Sequence, residues 1–232
     1  GGNMVILGEY ERSENMNSLG ALFGVHFSDG VLAHPNKLGS PVVLCASYTD
    51  EAVEKHSAFN RMQAWGYGVS VPTAVALDYS QVKDFEVYPV LVTGDSAWIE
   101  HETKDMVDGE FVCNPAAGEE EGNYAVLINL SRKIGDKEQR IIISGDSDFI
   151  TNEEFGLTRP GMEVNNFEVI TGSFRWLSYD AYPIYTDRIG AIDNGINLSG
   201  DWRVWIKLFF MILFPAFLVG TGVMIIYRRQ RK

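Results

Sequence analysis

Residues 141–150 read Ile-Ile-Ile-Ser-Gly-Asp-Ser-Asp-Phe-Ile. Three β-branched residues in a row, stopped by Gly-Asp, describe a strand that runs into a tight turn. The same grammar recurs along the chain. Met4–Leu7 ends at Gly8-Glu9, Val42–Ala46 follows Pro41, Val87–Val92 ends at Gly94-Asp95, and Tyr124–Leu130 lies between Gly122 and Ser131. Short, unbroken apolar runs fit strands buried on both faces. Helical periodicity lies between them. Residues 13–23 place Met16, Leu19, Leu22 and Phe23 on one stripe. Asp50–Trp65 does so with Ala52, Val53, His56, Phe59 and Met62, and 163–177 with Phe167, Ile170, Phe174 and Leu177. The alternation predicts an α/β domain with a mostly parallel sheet flanked by helices. Residues 94–122, rich in Asp, Glu and Gly, break the rhythm and read as an exposed excursion.

The C-terminal stretch has a different character. Leu208–Tyr227 contains no charged residue and includes the run LFFMILFPAFLVG. A helix of that length matches the hydrocarbon thickness of a bilayer, about 30 Å. Trp202, Trp205 and Tyr227 stand where amphipathic rings favour the membrane interface, and Pro215, Gly220 and Gly222 are tolerated in lipid. Arg228, Arg229, Arg231 and Lys232 follow the span, against Arg203 and Lys207 before it. The positive-inside rule puts the basic tail in the cytoplasm and the acidic body outside it. The expected layout is an extracytoplasmic α/β domain over residues 1–178 and a juxtamembrane linker over 179–203. A transmembrane helix over 204–227 and a cytoplasmic tail over 228–232 complete it.

The 232 residues carry 19 Lys/Arg against 31 Asp/Glu, a net charge of −12. That acidity excludes nucleic acid as a partner of the body and directs the basic tail to membrane lipid. Hydrophobic residues at 46% exclude wholesale disorder. Two cysteines exclude a disulfide-dense scaffold, and whether Cys45 and Cys113 pair is open. The chain opens on Gly-Gly-Asn-Met-Val-Ile-Leu, a strand pattern with no signal peptide before it, and reads as a piece of a longer protein lacking its N-terminal part.

Few residues carry catalytic promise. Ser147 follows a strand end, as a hydrolase nucleophile would, but a G-x-S-x-G elbow needs glycine where Phe149 stands. Every histidine precedes Ser147: His26, His34, His56 and His101. None shows metal-ligand spacing, and Asp146 and Asp148 alone are too few for a cation, so no metal and no cofactor are expected. Asp146 and Asp148 are expected to cap the turn. Glu9, at another strand end, is a ligand candidate with Asp146, Ser147 and Asp148. Cys45 with His56 would be a second nucleophile pair, but a buried structural cysteine is the simpler reading. The acidic patch around Glu100 and the Glu119-Glu120-Glu121 run read as solvated loop. No GxxxxGK[ST] motif occurs, so this stretch does not itself hydrolyse ATP.

Taken together these features resemble the GldG-like family, auxiliary components of ABC transporters first associated with gliding motility. The resemblance rests on residues 1–9, on Asn17 and Leu19 before Phe23-Gly-Val-His-Phe, and on Ser131 through Asn152. Asn166-Phe, Phe174, Trp176-Leu and the span with its Arg/Lys tail complete it. It implies a class I glutamine-amidotransferase-like α/β fold without that class's nucleophile, and no catalytic residue. It also implies a cell-membrane location and ATPase and permease subunits as partners. The expected function is a membrane-anchored, non-catalytic auxiliary subunit or permease fragment whose soluble domain binds substrate or a partner protein. Two alternatives stand beside it. One is an envelope- or glycan-binding module using aromatics such as Trp65, Tyr67, Trp98 and Trp176. The other is a hydrolase or amidotransferase-like enzyme using Ser147 or Cys45.

Overall fold

The apolar runs are strands. A computed structural model describes the chain except residues 1, 36–39, 107–108, 158, 160, 183–199 and 232. It divides into two compact units, Gly1–Tyr185 and Thr186–Lys232. The first begins with β1 (Met4–Leu7), α1 (Ser13–Gly20), β2 (His26–Phe27), β3 (Val31–Ala33) and β4 (Val43–Tyr48). Then come α2 (Asp50–Lys55), α3 (Ser57–Ala64), β5 (Val69–Pro72), β6 (Leu77–Asp78), β7 (Glu86–Val92) and β8 (Trp98–Glu100). It ends with β9 (Ala125–Ile134), β10 (Lys137–Ser144), α4 (Asn152–Gly156) and α5 (Asn166–Leu177).

Six strands form the main sheet, in the order β1-β10-β9-β7-β4-β5. Only β1 and β10 run parallel; the other four neighbouring pairs are antiparallel. The expected mostly parallel sheet is therefore corrected to a mixed sheet dominated by antiparallel pairing. The cause is partly local. Gly135 and Asp136 alone join β9 to β10, with Gly135 at φ +61°, and a two-residue loop admits only an antiparallel hairpin.

The runs are nonetheless buried on both faces. On β10, Ile142 enters one core with Val90, Val126, Phe59, Met62, Val169 and Trp176, which brings α3 and α5 onto that face. Its neighbours Ile141 and Ile143 enter a second core with Ile6, Ile128, Leu130 and Phe27, against which Met16 and Leu19 of α1 pack. Covering both faces makes a continuous apolar run whatever the direction of the neighbouring strand.

The helices depart from expectation in two places. The 50–65 helix is two helices, broken at His56, whose backbone is extended at φ −136° and ψ 103°. Thr49 caps α2 by accepting the Ala52 N–H at 3.1 Å. In α5 the buried face is Asn166, Val169, Gly172 and Trp176, while Phe167 and Phe174 are 60% and 58% exposed. The predicted stripe is rotated: Ile170 and Leu177 reach the core only in part. A Cβ on Gly172 would overlap Phe59, so the small residue faces α3 and sets the orientation.

The acidic excursion is not simply solvated loop either. β8 pairs with β3, and Glu119 is fully buried, accepting N–H groups of His101 at 3.0 Å and Asn114 at 2.7 Å. Glu100 is also buried and accepts from Trp98 Nε1 and from the N–H groups of Glu102 and Thr103. These carboxylates organise the loop from inside.

In the second unit α6 (Gly200–Leu208) passes through a π-helical turn, Phe209–Leu213, into α7 (Phe214–Gln230). The wide turn sits just before Pro215, whose missing N–H and ring disturb the regular ladder. Val204–Gln230 is long and apolar enough to cross a membrane, and its large apolar side chains are exposed. Its length, about 40 Å at 1.5 Å per residue, leaves room for tilt. Most of the linker expected over 179–203 lies outside the described residues.

Candidate functional site

The two parallel strands end side by side, and their ends carry the acidic residues. Gly8 follows β1 and donates its N–H to the Ser144 carbonyl of β10 at 2.7 Å. Gly145 follows β10 and its carbonyl accepts the Val75 N–H at 2.9 Å. A Cβ on Gly145 would overlap the Val75 carbonyl, and one on Gly8 would lie 2.6 Å from the Phe27 ring. Only glycine lets the chain turn this close to its neighbours. Glu9 and Asp146 are thereby delivered to one spot from 137 residues apart.

Asp146 is fully buried. One of its oxygens accepts the Asp148 N–H at 2.9 Å and the other the Phe149 N–H at 3.1 Å. The capping role read from the sequence is therefore present for Asp146. Burial, joined by the charges of Asp148 and Glu9, pushes its pKa up to about 8 against the pull of those two N–H groups. Asp146 is thus mostly protonated at neutral pH. Ser147 Oγ donates to Glu9 Oε2 at 2.6 Å, and Thr73 Oγ1 reaches the other Glu9 oxygen at 3.4 Å. Thr73 is a β-branched residue at φ +49°, a strained conformation beside the site. Nothing in the sequence marks it.

Glu9, Asp146 and Asp148 each offer an oxygen within 4.8 Å of the others. The sequence paired Asp146 with Asp148 alone; the parallel β1–β10 contact supplies Glu9 as a third. Three carboxylate oxygens at this spacing could accommodate a hard divalent cation, which would have to displace the Asp146 proton.

The remaining candidates are scattered. Cys45 and Cys113 are both free thiols. Cys45 is exposed, which corrects the expectation of a buried cysteine, and the partial desolvation of its thiol raises its pKa, the opposite of an activated nucleophile. His56 is not its base: His56 Nε2 pairs with Tyr88 Oη at 2.6 Å. Among the proposed sugar-stacking aromatics, Trp98 is buried and Trp176 nearly so, whereas Trp65 is exposed and meets Tyr67 edge to face. In the apolar helix Trp202, Trp205 and Tyr227 are exposed, Arg228 and Arg229 lie in its last turn, and the Arg231 guanidinium stands 4.7 Å over the Tyr227 ring.

Two asparagines within the motif stretches have architectural roles. Asn17 pairs with both backbone groups of Phe27, at 2.7 and 3.0 Å, as a neighbouring strand would. Asn166 accepts from the Ser70 N–H and donates to the Ser70 and Phe149 carbonyls, all at 2.9 Å. It clamps α5 to β5 and to the turn that follows Asp146. Compared with protein-family models, curated proteins and solved structures, the chain matches none.

Proposed function

We propose that the chain is a membrane-anchored, non-catalytic auxiliary subunit or permease fragment of an ABC transport system, of the GldG-like kind. Its α/β unit binds a substrate or partner protein outside the cytoplasm, with the strand-end Gly145-Asp-Ser-Asp segment in an amidotransferase-like setting. The observation that carries the reading is the exposed helix Val204–Gln230, long and apolar enough to cross a membrane. A helix with all its apolar side chains outward is stable only in a bilayer or against other spans. The basic residues after it favour a cytoplasmic C-terminus. Energy would come from a separate subunit, since the chain has no P-loop.

The test is purification of the full-length protein from its native membrane in mild detergent, followed by mass spectrometry. A P-loop ATPase is expected to co-purify in stoichiometric amount. Purification free of any ATPase overturns the transporter assignment.

One observation favours a second reading. The 2.6 Å bond from Ser147 to Glu9 is the kind of contact a carboxylate base makes with a nucleophile. A hydrolase of that type loses turnover in Ser147→Ala. Unchanged function of that variant in its native membrane removes the enzyme reading and leaves the binding subunit.

A further inference from the structure

A second polar site lies at the other end of β10, away from the strand-end carboxylates. A cavity of about 280 Å³ opens there between the C-terminal end of α5, the α2–α3 break and the strand edge around Glu86, Ser131 and Arg140. Its lining is charged in a graded way. Arg140, Arg175 and Lys55 have side chains only 19%, 29% and 33% exposed. Their partners Glu138, Glu86 and Asp180 are 36%, 68% and 74% exposed. Arg140 lies deepest, paired with the half-buried Glu138, and Glu86 and Asp180 stand at the rim.

The inner wall is fixed by packing. Arg140 lies over the rings of Trp176 and Tyr179, at 5.3 and 4.4 Å. It donates to the Trp176 carbonyl at 2.6 Å and twice to Glu138 Oε2, at 2.9 and 2.7 Å. A guanidinium has five N–H donors, so two remain. Lys55 Nζ stands 4.3 Å over Tyr88 and bonds Glu86 at 2.5 Å. Behind them Asn129 Nδ2 donates to Tyr88 Oη at 3.1 Å, and Tyr88 in turn meets His56 Nε2. Asn129 is 3% exposed and anchors this chain in the core.

We propose that this cavity is a binding site for a small organic anion, a carboxylate or phosphate group held by Arg140 and Lys55 against Trp176 and Tyr88. Exposed ion pairs contribute little, so the rim carboxylates Glu86 and Asp180 yield readily to a competing anion. An anion seated deeper is less screened by water and meets donors already oriented by the aromatic wall. The site is independent of the transporter reading and shares no residue with the Glu9–Asp146–Asp148 cluster.

The test is an equilibrium titration of the full chain in detergent with succinate and, separately, inorganic phosphate, followed by calorimetry. Saturable millimolar-range binding of either is expected, succinate alone marking a carboxylate site and phosphate alone a phosphate site. Arg140→Gln should weaken binding roughly tenfold, the worth of one charge-assisted bond. Glu86→Gln, at the exposed rim, should tighten it several-fold, which a merely structural role for this network would not produce. Absence of saturable binding of both anions to wild type and to Glu86→Gln overturns the proposal. So does Glu86→Gln weakening the complex, as it would for a cationic or zwitterionic ligand.

Discussion

Asp146, fully buried, and His56, half-buried, are titratable residues whose environments push them in opposite directions. The Asp146 pKa is raised from 3.8 to about 8, chiefly by burial. The folded state therefore holds a proton that the unfolded chain gives up. Its contribution to stability is full below the ordinary carboxylate value and is lost as pH rises through about 8. Thermal unfolding of wild type and Asp146→Asn across that window should show the variant gaining on wild type as pH rises. A constant difference would mean that Asp146 is ionised throughout. His56 is lowered from 6.5 to about 4, first by burial and then by the positive charges of Arg140 and Lys55, against the pull of Asp180. Its contribution is full above the ordinary histidine value and is lost as pH falls through about 4. Ring-carbon chemical shifts of His56 should stay those of neutral imidazole down to that range. Titration at the ordinary value would contradict the Asn129–Tyr88–His56 chain.

At the scale of the element, α5 sets the test. Its twelve residues carry two stripes, and only one, Asn166, Val169, Gly172 and Trp176, is buried throughout. Phe174→Ser, on the exposed stripe, should change stability by no more than about 0.5 kcal/mol. Trp176→Ala should cost about 3–5 kcal/mol, because it empties a packed site. Urea unfolding of both variants decides it; equal losses would place Phe174 in a contact of its own. Hydrophobic periodicity alone could not separate the stripes. Phe167, Ile170, Phe174 and Leu177 match a helical face as well as Asn166, Val169, Gly172 and Trp176 do, and aromatic residues weigh more on any hydropathy scale. What selects the second set is the close approach at Gly172 and the satisfied amide of Asn166. Both are contacts with residues distant in sequence. The break at His56 was equally hidden, since its ring fits the apolar stripe of an unbroken helix.

For the whole molecule, the charge asymmetry and the apolar helix argue together. Paired substitutions Leu218→Arg and Val219→Arg place two charges near the centre of the span, at about 3 kcal/mol each on insertion scales. Fractionation of cells should move most of the chain from the membrane pellet to the soluble or degraded fraction. Retention in the membrane would require anchoring through another segment or subunit. The fold was partly legible at this scale. Every apolar run read as a strand is one, and the C-terminal apolar stretch is a continuous helix across the expected region. The direction of the strands was not legible. A run buried on both faces looks the same in a parallel and an antiparallel neighbourhood, and the deciding sign, a two-residue Gly135-Asp136 loop, is short and easily passed over.

The amino-acid sequence by itself determined the things that depend on neighbours along the chain. These are the strand runs, the turn at Gly145 with its Asp146 cap, and the apolar C-terminal helix with its flanking aromatics and cations. Only the tertiary structure decided what depends on the pairing of distant segments. Parallel registry of β1 with β10 brings Glu9 to Asp146 and Asp148. The ends of α2 and α5, meeting the sheet edge, assemble Lys55, Arg140 and Trp176 around one cavity. Local pattern reports the period of burial, whereas a site is a meeting of strand ends and helix ends, and its geometry is set by packing that no single stretch encodes.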